Sequence, residues 1–496
     1  MKITKHQSLE SPRIKLRKKV FAFLNAISIL LCLACPGTAR QLPRTNPAAV
    51  SVSTARLAHI DDALAESISR HELPGAVVLV ARDGKLVWRK AYGSRVIEPT
   101  REPMTVRTIF DLASLTKVVA TATSIMILVE RGKIRLADPL AQYIPEIKGG
   151  GREQITIEQL LTHRAGYAPD FDLKERWTGY DEAIKRLESE PLRNPPGAKF
   201  VYSDIGYIAL GEVVHRVSGL TLAAFCQQNI FRPLGMRDTG FNPSSALRAR
   251  IAPTEKRRAQ QSYLGDRPGT DDSLGARWLR GEVHDPTSFR MNGIAGHAGL
   301  FSTADDLAIY CQMILNGGEY GGVRILSPLT VAEMTTPRLV SDNGWTRGLG
   351  WDIDTSFSSN RGDLFPLGSF GHTGFTGTSI WIDPASKMFV IFLSNRVHPD
   401  GKGDVKAVRG KVATIAAGSV TDLNTAAAAK LQQTRYYETL NKDLARFTGS
   451  LKAQAEAVND SGFAGVRVLT GIDLLERDGF KELAGLKIGL VTNHTG

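Results

Sequence analysis

Strand-forming runs stand at the two ends of one long stretch of this chain, so its fold has to join distant segments in one sheet. The early pair, Gly75-Ala-Val-Val-Leu-Val-Ala81 and Lys85-Leu-Val-Trp-Arg-Lys-Ala91, flanks Arg82-Asp83-Gly84. An Asp-Gly step between two such runs predicts a β-hairpin. The late pair, residues 378–383 and 388–393, flanks the turn Pro384-Ala-Ser-Lys387. Between about 145 and 345 the chain is rich in Gly, Pro and short helical pieces. Together these predict an α+β fold, an antiparallel sheet flanked by helices with a mostly helical insertion. Leu57, Ile60, Leu64 and Ile68 mark a helix before the early hairpin. After it, a helix from Leu112 would bury Leu115, Val118, Val119, Ala122, Ile125, Met126 and Val129, with Gly132 as its stop.

With 496 residues the chain has room for two or three domains. The formal charge of +12 does not point to nucleic acid: residues 1–39 hold seven Lys/Arg and one Glu, and the remaining +6 is spread thinly, with no basic run beyond Lys256-Arg257-Arg258. Arg13, Lys15, Arg17, Lys18 and Lys19 precede an apolar run from Val20 to Ala34, then Pro36-Gly37 and small residues to Ala39. This is the pattern of a secretory signal, shorter than the roughly 20 residues of a spanning helix. Cleavage after Ala39 is one outcome; Cys35, behind Leu33-Ala34, is a candidate for lipid attachment. The expectation is an exported, periplasmic or otherwise extracytoplasmic protein, a lipoprotein if Cys35 is modified, with no membrane span in the mature chain. The expected boundaries are 1–39 signal, 40–52 linker, 53–420 main domain, 421–462 helical linker and 463–496 the opening of a second domain. Cys226 and Cys311 lie in apolar, helix-like segments, as core residues or as one disulfide, and the mature chain has no Cys-x-x-Cys zinc spacing.

The sequence has no Gly-x-Ser-x-Gly elbow, no phosphate loop ending Gly-Lys-Ser/Thr and no His-Glu-x-x-His. It does have Ser114-Leu-Thr-Lys117 at the start of the long apolar helix. Three-residue spacing puts both side chains on one helical face, where an amine can take a hydroxyl proton. An N-capping serine with a solvent-facing lysine would satisfy the same spacing. Tyr202-Ser203-Asp204 follows about ninety residues later, after Pro195-Pro196-Gly197, on a loop from which a tyrosine can meet the Ser–Lys pair. Gly371-His372-Thr373-Gly374 precedes the late strands. Its small residues let a substrate lie along a backbone edge, which can supply an oxyanion donor.

In this order the three elements resemble the Ser-x-x-Lys, Tyr-x-Asn and Lys-Thr-Gly motifs of the serine β-lactamase and penicillin-binding protein superfamily, nearest its class C and esterase branch. Residues 110–117, 155–163, 200–204 and 299–307 are similar to that family as well, so the resemblance spans about 55–415. It implies a β-lactamase/transpeptidase-like fold and no metal or organic cofactor. It makes Ser114 the acylated nucleophile, Lys117 its base and Tyr202 the proton shuttle to the leaving group. The backbone N–H groups of Ser114 and Phe375 would form the oxyanion hole, with Asp204, His372, Thr373 and Gly374 binding substrate. As a base Lys117 must be neutral, which requires burial or nearby positive charge to lower its pKa. Asp204 stands where Asn is usual and would hold Lys117 protonated, orient an amide substrate or simply cap a helix. His372 replaces a lysine and is mostly neutral at pH 7, which disfavours efficient penicillinase activity. His163 and His297 read as hydrogen-bonded structural residues; Trp345, Trp351 and Trp381 read as core more than as cleft.

Residues 468–473 and 487–496 resemble the opening of the exo-β-N-acetylmuramidase family, without enough sequence to assign muramidase activity. The Tyr-Ser-Asp and Gly-His-Thr-Gly elements are similar to those of β-lactamase-fold N-acetylmuramoyl-L-alanine amidases of cell-wall recycling. These resemblances imply an exported serine hydrolase that cleaves amides in peptidoglycan fragments through an acyl-enzyme, with a muropeptide as its partner. The alternatives are an esterase, a D-alanyl peptidase or a weak β-lactamase of the same fold, and a noncatalytic muropeptide-binding sensor.

Overall fold

Asp83 and Gly84 both take positive φ, 49° and 72°, which gives a two-residue hairpin the twist of its strands. Strand β1 (Gly75–Arg82) accordingly pairs antiparallel with β2 (Lys85–Val96). The computed structural model describes residues 41–423, apart from Arg176 and residues 257–277, and residue 429. All belong to the first of the two units into which the chain divides, Met1–Arg435. The expected signal with Cys35, nearly all of the 421–462 linker and the muramidase-like segment 463–496 lie outside the described residues.

The remaining strands of the main sheet are β3 (Glu102–Pro103), β4 (Arg338–Leu339), β5 (Thr346–Arg347), β6 (Asp352–Asp354), β7 (Phe370–Thr373), β8 (Ser379–Asp383) and β9 (Met388–Ser394). They lie in the order β3-β2-β1-β9-β8-β7-β6-β5-β4, every pair antiparallel. The early and late hairpins therefore meet at β1 and β9, in register from Ala76 opposite Ser394 to Arg82 opposite Met388. The helices that frame the site are α1 (His59–Ser69), α2 (Thr123–Glu130), α3 (Asp204–Ser218), α4 (Pro286–Arg290) and α5 (Lys406–Gly418).

Strands β1, β8 and β9 are buried along their whole length because both sheet faces are covered. Alternation sends Val78, Val80, Val390 and Phe392 to a core shared with Ile60 and Leu64 of α1 and Val408 and Val412 of α5. Val77, Leu79, Ile391 and Leu393 face a larger core with Leu115, Val118 and the apolar face of α3. Burying each such side chain contributes about 1.5–3 kcal/mol.

The helix expected from Leu112 differs at its start. Leu112 to Ser114 leave a short strand (Phe110–Asp111) and turn, Lys117–Ala122 is π-helical, and only then does α2 begin. Both Thr123 Oγ1 and Tyr310 OH donate to the carbonyl of Val118, at 2.8 and 3.1 Å. Such competition for a helix carbonyl favours a widened turn. Gly132 ends the element with φ 64°. Cys226 and Cys311 are buried free thiols, so the disulfide alternative is set aside. Trp351 and Trp381 are core residues, while half-buried Trp345 packs edge-on against Phe200. Among the described residues no single helix is long and apolar enough to cross a membrane.

Candidate active site

The turn carrying Ser114 is held from both sides. Phe110–Asp111 pairs with Leu300–Ser302, and the Leu112 N–H donates to the Leu300 carbonyl. Asp111 is buried, and its carboxylate accepts from the Ala113 N–H at 2.9 Å and the His284 N–H at 2.7 Å. Burial raises that carboxyl above its ordinary range, against those two hydrogen bonds. Ala113 adopts φ 46°, a conformation costly for a residue with a Cβ, directly before Ser114.

Lys117 is fully buried. Its Nζ lies 3.2 Å from Ser114 Oγ, 3.2 Å from the His297 carbonyl and 2.6 Å from Asp204 Oδ1, and 4.9 Å from the centre of the Tyr202 ring. Burial disfavours the ammonium, yet Asp204 and Tyr202 outweigh it and raise the amine above its ordinary value. This corrects the expectation of a lowered, neutral lysine: the carboxylate in the place of the usual Asn holds the amine charged.

Ser203, not Asp204, caps α3, its Oγ accepting from the Gly206 N–H. Asp204 is thereby free of the capping role and turns to Lys117. Tyr202 stacks on His163 with ring centres 4.4 Å apart, and His163 Nδ1 accepts from the Ser203 N–H at 3.0 Å. His163 thus fixes the Tyr202–Asp204 loop through both ring and nitrogen. Burial, then Arg347, Lys117 and His372, depresses it well below its ordinary value.

Behind Lys117 lies an acidic cluster contributed by three separate segments. His297 Nε2 is 2.7 Å from Asp285 Oδ1, and Asp285 also caps α4. Thr287 donates to both oxygens of Asp170, at 2.9 and 2.8 Å. Burial opposes charge on His297, but Asp285 and Asp204 raise its pKa; burial likewise favours protonated Asp285, but His297 brings it down to about 2. Asp170, buried near Asp285 and Asp204, is pushed up to about 7. Donor atoms of Asp204, Asp285 and His297 come within 4.8 Å of one another, a spacing a divalent cation can use. The Lys117 ammonium beside Asp204 supplies positive charge there from the protein itself, and Asp285 and Asp204 shift His297 toward its charged form.

The opposite wall is β7 and the loop after it. His372 Nδ1 donates to the Thr373 carbonyl at 2.8 Å, and burial, with Arg347 and Lys117, depresses its pKa well below the ordinary value. At Gly374 a Cβ would fall 2.1 Å from Thr378 Oγ1 and 2.3 Å from the Leu112 carbonyl, so only glycine lets this loop close on the Ser114 turn. The N–H groups of Ser114 and Phe375 donate to no partner among the described residues. A cavity of about 500 Å³ opens here, lined by Ser114, Tyr202, His372, Phe375, Arg396, Lys406 and Arg409 among others.

Of the residues expected at the site, Ser114, Tyr202, His372, Thr373, Gly374 and Phe375 line this cavity, and Lys117 and Asp204 connect to it through the Lys117–Ser114 contact. Asp170, Asp285 and the arginines have no motif to reveal them, and Asp111 lies in the family-like run 110–117 without a role assigned to it; His163 and His297 are hydrogen-bonded structural residues, as expected, and their bonds hold segments of the site.

Comparison with known proteins agrees. The β-lactamase family model matches residues 59–415. The chain is 33% identical over 379 residues to the N-acetylmuramyl-L-alanine amidase of Bacillus subtilis (strain 168), covering 71% of this chain and 84% of that protein. It is 32% identical over 396 residues to a protein of Escherichia coli (strain K12) provisionally named D-alanyl-D-alanine carboxypeptidase, covering 74% and 89%. A penicillin-binding protein homologue from Pyrococcus abyssi superposes with a TM-score of 0.57 at 24% identity, covering 74% of this chain and 78% of that one.

Proposed function

The chain belongs to the β-lactamase family and is a serine hydrolase of that fold; from there we propose that it is exported and cleaves the amide between a muramic acid lactyl group and L-alanine in peptidoglycan fragments. One observation carries the catalytic part: Ser114 Oγ lies 3.2 Å from the Nζ of a fully buried lysine. Ser114 Oγ attacks the substrate carbonyl carbon, and the oxyanion that forms sits between the N–H groups of Ser114 and Phe375. To accept the serine proton, Lys117 first passes its own to Asp204 across their 2.6 Å contact. Substrate covering the cleft favours that neutral pair, because desolvation penalises both charges. Tyr202 then delivers a proton to the leaving amine and regains one from Lys117; water attacks the ester carbonyl while giving a proton to Lys117, which returns it to Ser114 Oγ as the acid departs.

The amidase reading draws on the Bacillus relative's name, on the resemblance of residues 468–496 to a muramidase domain that would act on a neighbouring bond, and on the charge of the cleft. Where the usual motif has a lysine, buried His372 is held toward the neutral form, and the cavity wall includes Arg396, Lys406 and Arg409 as cations. Muropeptides carry several carboxylates for such a wall to hold. The E. coli relative's name favours a second reading, release of a terminal D-alanine. Mass spectrometry of the full chain with N-acetylmuramoyl-L-Ala-D-Glu, and separately with a peptide ending D-Ala-D-Ala, decides between them. Free muramic acid formed by the wild type and not by Ser114→Ala supports the amidase; D-alanine alone supports the peptidase; both products with Ser114→Ala would overturn the nucleophile. The signal at 1–39 and lipid attachment at Cys35 belong to the same proposal, and labelling with a fatty acid analogue tests the latter.

A further inference from the structure

The two backbone donors come from segments about 260 residues apart, and one buried residue touches the supports of both. Asp111 binds the Ala113 N–H through Oδ1, which holds the strained turn before Ser114. Its Oδ2 accepts from the His284 N–H at 2.7 Å, and the His284 ring stacks on Phe375 with centroids 5.6 Å apart. Its carbonyl accepts from Thr376 Oγ1 at 2.7 Å, the residue after Phe375. Thr378 Oγ1 makes the parallel bond to the Leu112 carbonyl at 2.9 Å. From the other side Arg396 donates to the Phe375 carbonyl at 2.8 Å and lies over its ring. Asp111 and both threonines are almost wholly buried.

We propose that Asp111 and Thr376 are positioning residues that fix the distance between the N–H groups of Ser114 and Phe375, so that both donors meet one oxyanion. The carboxylate sets one donor, the carbonyl and its threonine partner set the other, and the short Asp111 backbone makes them one rigid unit. The inference rests on Ser114 as nucleophile and on these two N–H groups as the oxyanion site. Misplacing a donor weakens binding of the tetrahedral anion more than binding of the planar substrate.

The test uses the full chain with a p-nitrophenyl ester and with phenylboronic acid, which forms a tetrahedral anion on an active serine. Thr376→Val keeps the shape and removes the bond; Thr376→Ser keeps the bond. Thr376→Val and Asp111→Asn should lower kcat about tenfold to a hundredfold, with KM moving less than about threefold, and weaken boronate inhibition in proportion. Thr376→Ser should stay within about threefold of wild type throughout. If Thr376→Val keeps kcat and boronate affinity, or loses KM alone, the positioning role is overturned, whether or not Asp111→Asn folds. Ester turnover surviving in Ser114→Ala would instead remove the nucleophile reading beneath it.

Discussion

Two pockets of the cleft bury histidine equally and treat it in opposite ways. Behind Lys117, His297 is 1% exposed and shifted toward the charged form by Asp285 and Asp204. Beyond Tyr202, His163 and His372 are 2% and 3% exposed and shifted toward the neutral form. The difference lies in the neighbours. The first pocket holds three aspartates, and the second holds Arg347, itself fully buried on Asp352 at 3.1 Å. Desolvation pushes all three histidines the same way, so the sign of the remaining charge decides the outcome. The site thus has a side rich in carboxylates and a side whose histidines are held toward the neutral form.

Replacing Lys117 by Met removes the one cation shared by both sides. It should lower ester kcat by about 10²–10⁴, measured beside serine labelling with a fluorophosphonate; undiminished turnover would end the catalytic role of the acidic side. Asp285→Asn comes next, because it leaves His297 buried without its partner. Breaking such a pair costs about 3 kcal/mol or more, read by urea unfolding. Asp285, with its value near 2, gives stability that is complete above its unfolded value near 3.8 and is lost as pH falls toward 2. His297, raised, gives stability complete below 6.5 and lost as pH rises through its folded value. The loss in Asp285→Asn should therefore peak between about pH 4 and 6.5; a flat loss across pH would deny the pairing. Asp204→Asn removes the charge that raises Lys117, so the acidic limb of kcat/KM should move down by about one unit or more, and an upward shift would contradict the assignment of that limb to Lys117. His372→Asn should change least. Burial, Arg347 and Lys117 hold the His372 pKa well below the ordinary value, so this residue should add no limb near neutral pH and the profile should shift by less than about 0.3 units.

The same contrast explains what was legible in the sequence. The hairpins were readable because alternation and an Asp-Gly turn are local signals, and Ser114, Lys117, Tyr202 and His372 because each sits in a short motif. The charge of Lys117 was only half legible, since Asp204 could hold it protonated, orient a substrate or cap a helix, and only the structure gives the cap to Ser203. The cluster of Asp170, Asp285 and His297 arises where three loops converge, and no spacing within one loop announces it. Asp111 was hidden for another reason: it lies inside the Ser114 motif but exerts its effect through backbone atoms of residues near 284 and 376. The π-helical run at Lys117 also escaped, because the hydroxyl of Tyr310 that helps to open it lies far along the chain.

The pairing of β1 with β9 also governs the order in which this domain is made. Ala76 and Ser394 are neighbours in the sheet, so the early hairpin emerges from the ribosome with one long apolar edge and waits for about 300 residues to be synthesised before that edge is covered. Contacts so distant in sequence fold slowly and leave strand edges open to other chains. A chain interrupted before Met388 keeps that edge permanently bare and should aggregate.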